Sequence, residues 1–210
     1  MRTKKTNQQK IFFHYNPEKG LAMLKYLLNE VGGTYSYMAL LKLAFFADRY
    51  HVRNYARPVS CDIYYALKLG ALPSNLSNII DVEDFLGSDI SKVNTYDIKL
   101  VDKKIKKDEF SQSDIKAMNF AVQNFAKIGK KNRFDLAEIT HAYPEWDRYR
   151  ERFLVNTQGR EDMFYEDFLK NADPKHEIFL RLKFKDPFVP LTKKEQKCVD
   201  NAFGNSNPTI

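Results

Sequence analysis

In the run "LAFFADRYHVRNYARPVSCD", Asp48 and His51 stand at i and i+3, so one helix face would carry a carboxylate beside an imidazole. With His141 or Asp62 as a third group, such a pair could hold a metal ion or act as a general base. No His-x-x-x-His spacing of the zinc type accompanies it, and the plainer reading is a local acid–imidazole contact near a helix end. Cys61 precedes Asp62 without a glycine-rich elbow and reads as a small, half-buried hydrophobe rather than a nucleophile. "KLGALPS" has no Gly-x-Gly cradle for phosphate. Gly32-Gly33 stands before a helix start and could hold an anion there, but as a helix-to-helix turn it needs no ligand. His14 and His176 are isolated. These patterns contain no catalytic set, and the expectation is a protein that is not an enzyme, with no cofactor and no metal.

The elements that must position these residues are mostly helices. Asn16 can cap a helix that starts at Pro17, carries an apolar stripe of Leu21, Leu24, Leu27 and Leu28, and stops at Gly32-Gly33. Thr34 is the expected cap of a second helix, from about Tyr35 to Asn54, in which Lys42 is the only charge before Asp48. A helix apolar nearly all round belongs at the centre of a domain. Its turn to polar residues from Asp48 onward predicts that its last turns emerge at a surface.

Pro58 ends that helix, "DIYYAL" has strand composition, and Gly70 and Pro73 break the strand. Ser74 or Asn75 then opens a short helix to about Phe85. "TYDIKLV" alternates in period two and is expected to pair with 62–67 as a small sheet. "SQSDIKAMNFAVQNFAKIG" is a helix capped by Ser111 or Ser113 and ended by Gly129. Short helices follow up to His141, from Pro144, and over 162–171, 174–183 and 192–203, with "GNSNPTI" as a frayed tail. The fold class is mainly α: a compact helical domain around a central buried helix, with a small antiparallel β element. Its parts are a basic arm (1–16), a helical core (17–150) and a helical extension packed on that core (151–210).

The bulk properties narrow the function classes. A chain of 210 residues with 43% hydrophobic and 29% charged residues can bury a core without staples. Its 16 Phe and 12 Tyr predict a core or interface built from rings. Two distant cysteines suit a reducing compartment, no apolar leader segment is visible, and no apolar run approaches the ~18 residues of a membrane span. A cytoplasmic protein with no membrane partner is expected. The net charge of +7 is compatible with nucleic acid, an anionic surface or an acidic protein, but it is scattered in short runs. Two helices around Gly32-Gly33 suggest a helix-turn-helix, yet the second is too apolar to read base edges.

In order along the chain, three motifs resemble the Panacea antitoxin domain family (SocA-like). The first runs from Leu41 to His51 and continues through Tyr55, Arg57, Pro58 and Asp62 to a turn at Ala66–Ser74. The second is "FSQSD" at Phe110–Asp114, and the third is "ITHAYPEW" at Ile139–Trp146. Ala56 and Cys61 replace the family's usual glycines and Ala71 its frequent proline. The resemblance covers roughly Leu21–Arg150 and leaves "MFYEDFL" and "HEIFLRLKF" outside it.

The resemblance implies a helical, non-enzymatic antitoxin that neutralises a cognate toxin encoded nearby by direct contact, with delivery to a AAA+ protease as a further mode. On it, Tyr50, His51, Arg57, Asp62, Lys68, Ser74, His141 and Trp146 are the candidate partner-binding residues, since Tyr, Trp and Arg dominate interface hot spots. The competing role for Trp146, the single tryptophan, is packing on the "YHVRNY" end of the central helix. A DNA-binding transcriptional regulator, or an accessory protein of a phage or mobile element, is the alternative. A small hydrolase or nuclease using Asp48, His51 and His141 comes third.

Overall fold

The computed structural model describes residues 11–82, 89–155 and 158–203. Helix α1 (Pro17–Glu30) starts as its sequence dictates, with Asn16 Oδ1 accepting the N–H groups of Glu18 at 2.9 Å and Lys19 at 3.2 Å. Thr34 does not cap the next helix. Thr34–Ser36 is a short strand, β1, and α2 runs over Tyr37–Tyr55. The backbone of β1 is drawn into pairing, with Tyr35 opposite Ile98, so the helix begins two residues later than its cap signal suggests.

There follow β2 (Tyr64–Leu67), β3 (Gly70–Pro73), α3 (Ser74–Asp81), β4 (Ile90–Lys92), β5 (Asp97–Leu100) and α4 (Gln112–Lys131). Then come α5 (Arg133–His141), α6 (Pro144–Asp147), α7 (Arg150–Val155), β6 (Glu161–Asp162), a 3-10 turn at Tyr165–Leu169, α8 (Glu177–Arg181) and α9 (Lys193–Phe203). The fold is mainly α, with two three-stranded antiparallel sheets ordered β1-β5-β4 and β3-β2-β6 among the described residues. The expected pairing of the "TYDIKLV" strand with 62–67 is therefore wrong. That strand pairs with β1 and β4, while β2 turns back on itself through Gly70, which begins β3 instead of ending a strand. The end of the α3 segment toward Phe85, the first ten residues of the arm and the "GNSNPTI" tail lie outside the described residues.

Helix α2 is the axis of the core, buried without interruption from Ala39 to Arg49, and α4 lies along it as its main neighbour. Phe46 stacks on Phe125 at 3.7 Å, and Phe45 meets Tyr64 and Phe168 edge-on. Each ring buried in this way removes about 150–250 Å² from water. Phe153, Met163, Phe168, Ile178, Phe179 and Phe188 belong to the same core, so the chain beyond 150 packs into it rather than beside it. Helix α9 contributes no buried residue.

Gly129 does not end α4. It lies inside the helix, buried, where a Cβ would collide with the Tyr35 hydroxyl and Leu136. Its absence of side chain lets Tyr35 Oη donate to the Ala126 carbonyl at 2.7 Å. Ala56 and Cys61, which stand where the family motif has glycine, both adopt left-handed backbone, at φ 57° and 56°. That is the conformation for which glycine is the low-cost residue.

Candidate functional site

Only the last residues of α2, Asn54 and Tyr55, are exposed; the polar stretch before them is largely buried. Asp48, Arg49 and His51 are 0%, 1% and 0% exposed, against the expectation that the helix emerges there. The physical reason is that each is hydrogen-bonded by groups from other segments, which offsets most of the cost of burial, although Arg49 Nε, shielded from solvent, has no hydrogen-bond partner. Asp48 Oδ1 accepts the N–H groups of Val59 at 2.8 Å and Ser60 at 2.9 Å, and Oδ2 accepts the Tyr64 hydroxyl at 2.9 Å and that of Ser60. Burial pushes its carboxyl up to about 6 against the pull of these bonds. Asp48 thereby pins the loop between α2 and β2.

Arg49 reaches the other way. Its guanidinium donates to Glu145 at 2.5 Å and to the Lys170 carbonyl at 2.8 Å, and it lies 4.4 Å over the Tyr143 ring. Arg53, one turn on, donates to the carbonyls of Phe168, Leu169 and Lys170 and to Asn171. Together they clamp the C-terminal segment onto α2.

His51 takes a third direction. Its Nδ1 is 2.6 Å from the Arg57 carbonyl, and its Nε2 is 3.0 Å from Ser113 Oγ and 3.2 Å from Asp114 Oδ1. Burial pushes the imidazole below its ordinary value. Arg57 meets the same Asp114 oxygen at 2.9 Å, and Lys19 the other at 3.1 Å. Asp114 also completes the cap of α4, accepting the Ser111 N–H at 3.0 Å while Ser111 Oγ accepts the Asp114 N–H at 3.2 Å. The first and second motifs therefore converge on one carboxylate. Asp48 and His51 share a helix but serve different partners, so they do not form an acid–base pair.

Asp62 is buried at 2% exposure and acts as a cap at a distance. Its carboxylate accepts the N–H groups of Ile63, Asn75 and Leu76 at 2.6–2.8 Å, satisfying the first amides of α3. Ser74, half-buried, donates its N–H to the Ile63 carbonyl at 2.9 Å. Tyr50, also half-buried, lies 4.3 Å from the Phe120 ring, with the Lys116 ammonium against Tyr50 and Tyr55.

Three candidates are brought together at the surface. Lys68, His141 and Trp146 line a cleft of about 280 Å³ with Arg150, Phe153 and Ile178. Trp146 does not pack on the end of α2. Its indole N–H donates to the Leu67 carbonyl at 2.8 Å, and its ring is stacked between His141 at 3.6 Å and Phe153 at 5.4 Å. Burial, with Lys42 nearby, pushes His141 down to about 3, so the ring is neutral. Leu154, which also lines the cleft, is 72% exposed. Arg150 is held by Asp147 and Glu177, each at 2.8 Å, leaving Lys68 as the exposed cation of the rim. The arrangement suits docking of an apolar side chain with an anionic group beside it.

Beneath this cleft lies a residue whose role the sequence did not announce. Lys42 is 2% exposed, donates to the Ala71 carbonyl at 2.5 Å, and has no carboxylate beside it among the described residues. Glu145 was likewise overlooked. A charged Arg49 amid a buried helix, with no acid three or four residues away, was the signal that a distant carboxylate must meet it.

Residues 40–147 match the family model described as the antitoxin SocA-like, Panacea domain. No curated protein and no solved structure matches the chain.

Proposed function

The chain belongs to the SocA-like Panacea antitoxin domain family, and from that premise we propose that it is an antitoxin that neutralises a cognate toxin by direct protein contact, without catalysis. The observation that carries the reading is the division of labour among its motif residues. Asp48, Arg49, His51, Asp62 and Asp114 are all buried and committed to holding loops, caps and the C-terminal segment. What they leave for a partner is chiefly the cleft of Lys68, His141 and Trp146 with the exposed Leu154.

In this reading Lys68 and the apolar rim make the contact, and Trp146 and His141 form its rigid wall. Tyr50 and Arg57, partly exposed, provide a second contact area. His51 and Asp62 act only through the fold. Delivery of the bound toxin to a AAA+ protease is compatible with a surface that holds the toxin without chemistry. Among the described residues no helix is long and apolar enough to cross a membrane.

The test is a growth assay in which the neighbouring reading frame is induced alone and then with this protein, followed by co-purification. Rescue with a stable complex supports direct neutralisation, and rescue with loss of the neighbour supports proteolytic delivery. A harmless neighbour that forms no complex contradicts the proposal.

A further inference from the structure

A second cleft, of about 360 Å³, opens where β1 and β5 meet the junction of α4 and α5. Lys130, Lys131 and Arg133 line it, and Asp97, which accepts a hydrogen bond from Asn94 at 2.9 Å, is the carboxylate on its wall. Lys130 and Lys131 are exposed and meet no carboxylate among the described residues. They complement the C-terminal carbonyls of α4, but that role leaves their ammonium protons free for a ligand.

Arg133 is held differently. Its guanidinium lies 4.1 Å over the Tyr96 ring and 4.8 Å from that of Phe134, again with no carboxylate partner among the described residues. A guanidinium fixed on rings keeps its planar donor fork available and loses little freedom on meeting an oxyanion. Ser36 also lines the cleft, and its Oγ, shielded from solvent, has no hydrogen-bond partner. An unpaired, shielded hydroxyl beside three cations is a donor waiting for an acceptor. Phe134, which lines the cleft, is 47% exposed, and Tyr96, which meets the cleft through Arg133, is 50% exposed.

We propose that this cleft binds a mononucleotide, with its phosphates on Lys130, Lys131, Arg133 and the Ser36 hydroxyl and its base against the exposed Tyr96 and Phe134 rings. The volume lies near the lower end of the ~300–1,000 Å³ of small-molecule sites, too large for a bare phosphate and too short for an extended strand. The assignment is independent of the toxin-binding cleft, which shares no lining residue with it.

Calorimetric titration of the full chain with ATP, inorganic phosphate and a short oligothymidylate tests it. Saturable ATP binding at least about tenfold tighter than phosphate is expected. A further loss of about tenfold or more is expected in Lys130→Gln/Lys131→Gln and in Tyr96→Ala, all exposed side chains, with the melting temperature of the lysine variant lowered only slightly by the loss of charge at the α4 C-terminus. Three results overturn the assignment: ATP bound no tighter than phosphate, binding of the oligonucleotide alone, or ATP affinity unchanged in folded variants.

Discussion

Arg49 and Glu145, 96 positions apart in the chain, meet at 2.5 Å in the interior, where Arg49 is 1% and Glu145 is 0% exposed. The pair joins the central helix to the "HAYPEW" motif, and the same guanidinium holds the Lys170 carbonyl. Removing one partner strands a charge away from water, so Arg49→Ala or Glu145→Ala should cost about 3–5 kcal/mol. Urea unfolding measures it. The double variant Arg49→Met/Glu145→Leu should recover most of the loss, since it leaves neither charge buried.

Ala56 and Cys61 hold left-handed backbone where a side chain costs about 1–2 kcal/mol relative to glycine. Glycine's extra freedom in the unfolded chain takes back about 0.5–1 kcal/mol. Ala56→Gly should therefore stabilise by about 0.5–1 kcal/mol, seen as a higher urea midpoint with unchanged slope. A loss of stability would contradict the strain argument.

Lys42 makes the protein's stability rise with pH above neutrality. Burial without a carboxylate pushes its amine down to about 7 from an ordinary 10.5. Between those values the unfolded chain holds the proton and the folded chain does not, so stability increases as pH rises. Below about 7 both states are protonated and the full cost of burying the charge is present. Lys42→Met should be more stable than the parent at pH 7, and the difference should shrink toward pH 9.5. Chemical denaturation at stepped pH follows it, and a constant difference would contradict the assignment.

Asp62 caps α3 from 13 and 14 residues away, so Asp62→Ala should lose about 1–2 kcal/mol. Partner affinity, measured well below the melting temperature, should stay as it was. Reduced affinity at full stability would make Asp62 a contact residue after all.

Helix α1 was legible because Asn16, Pro17 and the Gly32-Gly33 stop act within a few residues of one another. The same holds for the Ser111–Asp114 capping box. The start of α2 and the strand partners were not legible, because pairing of Tyr35 with Ile98 is decided 63 residues away, as their numbering shows. Polar residues at the end of α2 looked solvated for the same reason. Nothing near Arg49 or His51 in sequence announces Glu145 or Asp114, and only their meeting makes burial tolerable. Gly129 looked like a helix stop because its reason, the Tyr35 hydroxyl, comes from another element. Of the candidate site, the motifs located Lys68, His141 and Trp146, but the fold alone joins them with Phe153 and Leu154 from beyond the family match.

In the proposed function the toxin docks on the Lys68–Trp146 cleft, while the buried motif residues only hold that cleft in shape. The most direct test is the dissociation constant of the cognate toxin for the parent and for Lys68→Glu/Leu154→Asp, two exposed positions on the rim. A loss of about 2 kcal/mol or more, roughly thirtyfold, at an unchanged melting temperature is predicted. Equal affinity in a fully folded variant would contradict it and place the toxin elsewhere on the molecule.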